Sequence, residues 1–449
     1  MKKIVGIIIG VCCHIYCSYA QSIDYESAME EIMERHIDDY PEPTIEALDK
    51  LFDGVNVDNL PVETCFKYYY YYGSCISDIN PESAIKLLTR ARTIASSSTQ
   101  IGLRNAWAID AESTLADLHM KIGTTEHVSA ALILYNDIIT VGISLLNDSE
   151  VAFLVVKSLI EQAKMGVEIW KDEEWVKRIW IQARDLSIEI NDPSAYSYYV
   201  ISILNYYCDR GEYDYALDLM KDAENKEISQ VDIPLYIKSI SEIKDLLNNR
   251  ERLKISKGIK SLEYWSNEVE IATRAMALCS QDVANKIATE TATGLEQYNI
   301  TESYEYAQIL HVLTQINHKY PAKVLPYCLK QINVITKTPQ FFIYTHEAEA
   351  YNLLAVNQMK LKDYKHAEVN YKNALKYLLE RDLHYSNSAG YKNLLAIIYH
   401  NIGRNYYFLK DYQTSIEYLS KSISLQMELK GSVWPKTERY LYEAESSVM

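Results

Sequence analysis

Along residues 348–375, AEAYNLLAVNQMKLKDYKHAEVNYKNAL, apolar and small residues return every third or fourth position, at Tyr351, Leu354 and Ala355 and then at Ala367, Tyr371 and Ala374. That period is one face of an α-helix, and the polar pair Lys362 and Asp363, followed by Tyr364, interrupts it. The stretch therefore predicts two helices joined by a tight turn. Residues 396–423 repeat the pattern, with Tyr399, Ile402, Gly403 and Tyr406 before Lys410, Asp411 and Tyr412, and Ser415, Leu419 and Ser422 after them. A third unit, from Ser197, sets Ile203 and Tyr207 before Gly211, Glu212 and Tyr213, with Ala216, Met220 and Ala223 beyond. Small residues such as Ala355, Gly403, Ala367, Ser415 and Ala374 let paired helices approach, and Tyr351, Leu354, Tyr399, Ile402 and Tyr371 fill the seam. One pair cannot bury its apolar faces alone, so pairs must stack.

This pattern resembles tetratricopeptide repeats, whose W-x2-L-G-x2-Y, A-x3-F and A signature is matched best by the units from Ala348 and Ala396. The run from Ser424, SLQMELKGSVWPKTERYL, resembles the longer repeats of the kinesin light chain type, in which a Gly-x-x-x-Pro connection precedes the next helix. Ala367 and Ser415 stand 48 positions apart, against about 34 in the family, so the second helices or their connections are longer here. The resemblance implies an all-α fold, a right-handed α-solenoid of stacked antiparallel helix hairpins forming a tetratricopeptide-like superhelix. It also implies a protein or peptide partner bound on the concave face, which the first helix of each pair lines. Carried onto this chain, the family's ligand-facing places are Glu349, Asn352, Val356, Met359 and Lys360 in one unit and Ile397, His400, Arg404, Tyr407 and Phe408 in the next. The candidate partner-binding residues are therefore Asn352, Lys360, His400, Arg404, Tyr407 and Phe408. Val356 and His400 break the carboxylate-clamp subset that grips acidic chaperone tails, which leaves a mixed groove suited to an extended peptide or a partner helix.

Weaker units lie at residues 65–91, with Ala84, Leu88 and Ala91, and at 112–138, with Leu115, Leu118, Ala131 and Tyr135. The expected organisation is a signal peptide over 1–20, N-terminal capping helices over 21–60 and tetratricopeptide-like repeats over 61–225. Degenerate helical repeats come next over 226–344, then well-matched repeats over 345–430, and a C-terminal capping helix over 431–449. A small inserted helical domain is the rival reading of 226–344.

Composition agrees with long helices and short connections, since the 449 residues include only 14 glycines and 10 prolines. Tyrosine is the exception at 38 residues against 6 phenylalanines, a choice suited to thin helical layers whose ring hydroxyls reach water. The Tyr68 to Tyr72 run points all round a helix, so most of it must pack inside and one or two rings are left for a groove. A net charge of −16 repels phosphate backbones, so no nucleic-acid partner is expected.

The basic start at Lys2 and Lys3, an apolar run to about Cys17, and Ser18, Tyr19 and Ala20 before Gln21 match a cleavable signal peptide. Export to the periplasm or the extracellular space is therefore expected, with no later integral membrane span. The remaining cysteines, Cys65, Cys75, Cys208, Cys279 and Cys328, have neither disulfide-framework nor metal-site spacing. No nucleotide, hydrolase or zinc-protease motif is present, and no cofactor, metal or catalytic residue is expected. His311 and His318 lie two turns apart, too far for one metal without further ligands.

The sequence thus reads as an exported, non-enzymatic scaffold that mediates protein–protein interaction through its concave groove. Its alternative is the sensing or regulatory arm of an envelope signalling or protease system whose effector is on another chain. Nothing in it fixes the oligomeric state.

Overall fold

A computed structural model describes residues 24–36, 41–97, 106–166, 172–226, 228, 230–342, 344–381, 388–430 and 432–448. Residues 1–20, expected to form a signal peptide, lie outside the described residues. Among those described, the regular structure is helical throughout, with no strand, and it divides into two units, residues 1–199 and 200–449.

The first unit contains α1 (Tyr25–His36), α2 (Pro41–Leu51), α3 (Val62–Ile76), α4 (Pro81–Ser97), α5 (Ala108–Ile122), α6 (Thr125–Gly142), α7 (Ser149–Met165) and α8 (Glu173–Glu189). The boundary falls within α9 (Pro193–Asp209). The second unit continues with α10 (Tyr213–Lys226), α11 (Ile233–Ser256), α12 (Leu262–Leu278), α13 (Gln281–Gln297), α14 (Tyr304–Ile316) and α15 (Pro321–Lys337). It ends with α16 (Tyr344–Lys360), α17 (Tyr364–Arg381), α18 (Ala389–Phe408), α19 (Tyr412–Lys430) and α20 (Pro435–Val448).

Local chemistry sets the helix starts. Thr124, Asp148, Asp172, Ser261, Ser303 and Ser388 each turn a side-chain oxygen back onto an orphan N–H in the first turn of the adjoining helix. Four turns between the paired helices reverse the chain through one left-handed residue, at Gly123, Gly211, Lys362 and Lys410, which sends the second helix antiparallel to the first. The two units predicted most sharply are the α16/α17 and α18/α19 hairpins, and the unit from Ser197 becomes α9/α10.

On either side of α9, helices pack on their neighbours in sequence, and a second set of contacts skips one helix. In the first unit the skipping contacts join α1 to α3 and α5 to α7; in the second they join α12 to α14, α16 to α18 and α18 to α20. In these contacts a first helix touches the first helix of the next hairpin, as expected where helix pairs stack. Within 226–344 the chain forms two such hairpins, α12/α13 and α14/α15, preceded by the 24-residue helix α11, which packs between α10 and α12. Because α11 is unpaired, the first helices carry odd labels in the first unit and even labels in the second.

The cores are layers of small and large residues. Ala355, Ala367, Tyr371 and Ala374 are fully buried with Leu378 and Ile398, while Trp265 lies with Ala288, Ala292, Leu295 and Ile309. Helix α6, with its extension to Leu145, is long and apolar enough to cross a membrane by length and composition. It nevertheless takes part in the stack, since Ala131, Tyr135 and Ile138 are buried and Asp137 and Asn136 are bonded to Arg92 and Gln162. The five described cysteines are free thiols. Burial pushes Cys75 up to about 11 and Cys279 and Cys328 up to about 12, so the reactive thiolate is scarce at neutral pH.

Candidate partner-binding groove

The six residues expected to face a partner fall on the first helices α16 and α18, but most of them touch the chain itself. Arg404 Nε donates to the Tyr440 hydroxyl at 3.0 Å, and the guanidinium lies 5.3 Å from the Tyr440 ring and 5.8 Å from the Phe408 ring. Tyr407 meets the Tyr440 ring at 5.3 Å, and burial followed by a hydrogen bond to Glu443 pushes its phenol well above the usual range. Phe408 stacks on Tyr364 at 5.4 Å and meets Tyr440 at 6.0 Å. His400 is buried, shares a 2.9 Å hydrogen bond with Thr437 and lies edge-on to Trp434.

All four therefore contact α20 or the Trp434 turn before it; His400 is buried there, while Arg404, Tyr407 and Phe408 stay half-buried with part of their surface engaged within the chain. The reason is geometric: a first helix offers one flank to the next first helix, and α20 occupies that place against α18. Asn352 and Lys360, one repeat earlier, are half-buried. Asn352 accepts a hydrogen bond from Asn401 at 3.0 Å, and Lys360 Nζ donates to the His318 carbonyl at 2.9 Å. Burial, with Arg404 nearby, holds the Lys360 ammonium below its ordinary range.

A more open site lies in the first unit. A cavity of about 550 Å³ opens on the face formed by the first helices α3, α5 and α7 and the start of α9. Its aromatic wall is continuous. Phe66 stacks on Trp107 at 4.6 Å and on Tyr70 at 5.6 Å, Tyr71 is next to Tyr70 on α3, and Phe153 of α7 lines the other side. Tyr70 and Tyr71 come from the five-tyrosine run, whose other members turn elsewhere. Tyr68 packs on Phe52 at 4.7 Å, Tyr69 donates to Asp58 at 2.9 Å and Tyr72 to Asp49 at 2.9 Å.

The cavity's charged side chains are Asp110, Glu150, Asp192 and Lys67. Lys67 is already matched, because its ammonium is paired with Glu26 and, at 2.6 Å, with Glu30. Burial works against its charge, and those two carboxylates outweigh burial and hold it protonated above its ordinary range. Asp110 is different. Burial raises its carboxyl above the usual carboxylate range; the Tyr70 hydroxyl and Lys157 pull it back, and Glu150 pushes the same way as burial. Asp192 is engaged as the cap of α9, accepting from the Ser194 and Ala195 N–H groups at 2.7 and 3.0 Å. The site is thus aromatic-walled with an acidic margin.

Trp107, Asp110, Glu150 and Phe153 were not singled out from the sequence. The tyrosine run was the one visible signal, and it marks only the α3 wall. Among the described residues no group of three or more His, Cys, Asp and Glu side chains could hold a metal ion.

No protein-family model matches the chain, and no curated protein matches it. Solved structures that resemble it include BtubC (BKLC) from P. vanneervenii, at 16% identity over 62% of this chain and 94% of that one, with a TM-score of 0.32. The TPR2AB domain of yeast Sti1, solved as a complex with pHSP90, is 13% identical over 75% of this chain and 98% of that one, at 0.25. A signal-transduction ATPase with numerous domains and a tetratricopeptide repeat sensor, from Pyrococcus horikoshii, is 16% identical over 94% of this chain and 62% of its own length, at 0.33. The class rests on the helix contacts alone: an all-α protein of antiparallel helix hairpins stacked within each unit, with an aromatic cavity on the first-helix face of the first unit.

Proposed function

We propose that the chain is a non-enzymatic interaction scaffold that holds an extended segment of a protein partner in the groove of its first unit. The observation that carries this reading is the cavity's position: its aromatic wall is drawn from successive first helices, α3, α5 and α7, so one ligand lying along the face would contact three repeats at once. Buried aromatic anchors surrounded by polar groups are also the usual make-up of a binding hot spot. The N-terminal basic, apolar and small-residue pattern supports an exported scaffold, working in the periplasm or outside the cell.

The test is affinity capture from the native envelope and medium with the intact chain and with Trp107→Ala and Phe153→Ala variants whose melting curves match it. A stoichiometric partner lost by both variants is the expected result. A partner retained by both would move the binding surface elsewhere.

A further inference from the structure

Resting on the groove reading above, we propose that the occupant is a cationic peptide segment, one that sets an arginine or lysine side chain against Asp110 and Glu150 between the aromatic walls. Three observations converge on that sign of charge. The cavity's own cation, Lys67, is neutralised by Glu26 and Glu30 on α1, so it offers little to an acidic ligand. Asp110 is not matched in the same way: it receives a hydrogen bond from the Tyr70 hydroxyl, and Lys157, the cation that acts on its carboxyl, is committed to Asp117 at 2.5 Å and to the Ser113 hydroxyl at 3.2 Å. Finally, the half-buried Trp107 and Tyr70 rings, both stacked on the buried Phe66, border the cavity with aromatic rings of the kind that hold a guanidinium or ammonium. The chain already uses that geometry, with the Lys67 ammonium 5.9 Å from the Trp107 ring centre and Arg404 set over Phe408 and Tyr440. A surface of net charge −16 would also steer a basic segment inward and repel an acidic one.

The experiment uses the full chain and three fluorescein-labelled leucine-containing peptides identical but for two guest positions, which are both arginine, both glutamine or both glutamate. Fluorescence anisotropy should rank arginine about tenfold above glutamine, with glutamate weakest, and the arginine advantage should shrink as salt is added. Asp110→Asn and Glu150→Gln should each bring the arginine peptide toward the glutamine value. Both are isosteric, and a melting curve for each separates loss of binding from loss of fold. If the glutamate peptide binds as well as the arginine peptide and Trp107→Ala abolishes both, the groove stands and its cationic preference is wrong. If the arginine preference survives Trp107→Ala, Asp110→Asn and Glu150→Gln, the cation is held on the general acidic surface and both readings fall. They fall also if none of the peptides binds.

Discussion

Gly403 lies so close to Leu419 that a β-carbon added to it would stand 2.6 Å from Leu419 Cγ and 3.1 Å from the Leu419 backbone nitrogen. Gly73 and Leu88 make the same contact in the first unit, at 2.9 Å. In both hairpins the first helix therefore meets the second backbone to side chain, and the small residue at the crossing sets how closely the pair packs. Gly403→Ala should lose stability, because overpacking costs about 1–3 kcal/mol and the better helix propensity of alanine returns only about 1 kcal/mol. Urea unfolding of the second unit checks this; an unchanged midpoint would show that the hairpin can open without penalty.

Asp110 is expected to lower stability at neutral pH. Its folded carboxyl titrates above its unfolded value, so the native state binds more protons through that window and is destabilised as pH rises through it. Asp110→Asn should therefore raise the melting temperature at neutral pH, and the gain should shrink toward about pH 4, as the wild-type carboxyl takes up its proton. Melting curves across that range decide it, and a gain independent of pH would assign the effect to packing.

A buried polar chain ties the last hairpin to α20. Ser422 Oγ donates to the Ala396 carbonyl at 2.8 Å, Gln426 Nε2 donates to Ser422 Oγ at 2.7 Å and to Thr437 Oγ1 at 3.2 Å, and Thr437 meets His400. Thr437→Val keeps the shape and removes the shared hydroxyl, which should cost about 1–3 kcal/mol by leaving buried groups unsatisfied. Hydrogen exchange should then rise in α20 and leave the first unit unchanged. Equal exchange in wild type and variant would show that ring contacts around Tyr440 hold α20 without the network.

Lys362 and Lys410 turn their hairpins at φ of 61° and 63°, where a β-carbon is strained by about 1–2 kcal/mol. Lys410→Gly should relieve that strain, and after the extra freedom of the unfolded chain a net gain of about half a kcal/mol should remain. The mid-helix Lys376→Gly should instead lose about 1 kcal/mol. Opposite signs in denaturant melts are the expected outcome, and a loss at both positions would mean that the Lys410 side chain contributes to the turn.

How much could be read before folding depends on the range of each interaction. The α16/α17 and α18/α19 pairs were legible because their determinants, Ala355 with Ala367 and Gly403 with Ser415, lie within a dozen residues across one turn. The fate of Arg404 and Tyr407 was not legible. Both belong to a face that is open or covered according to where the last helix packs, and the sequence marked α20 as a helix without showing where it would lie. The groove was harder still. Phe66, Trp107 and Phe153 are each more than 40 positions from the next, and no local period links them.

The sequence by itself determined the helices, their turns and their tendency to stack, because 3.6-residue periodicity, small crossing residues and side-chain caps act between near neighbours. The tertiary structure alone decided which first-helix surface forms a cavity among the described residues. It set α20 against the α18 residues and gathered an aromatic, acid-rimmed cavity from α3, α5, α7 and the start of α9. Exposure depends on packing among residues distant in the chain, and that information exists only once the hairpins have stacked.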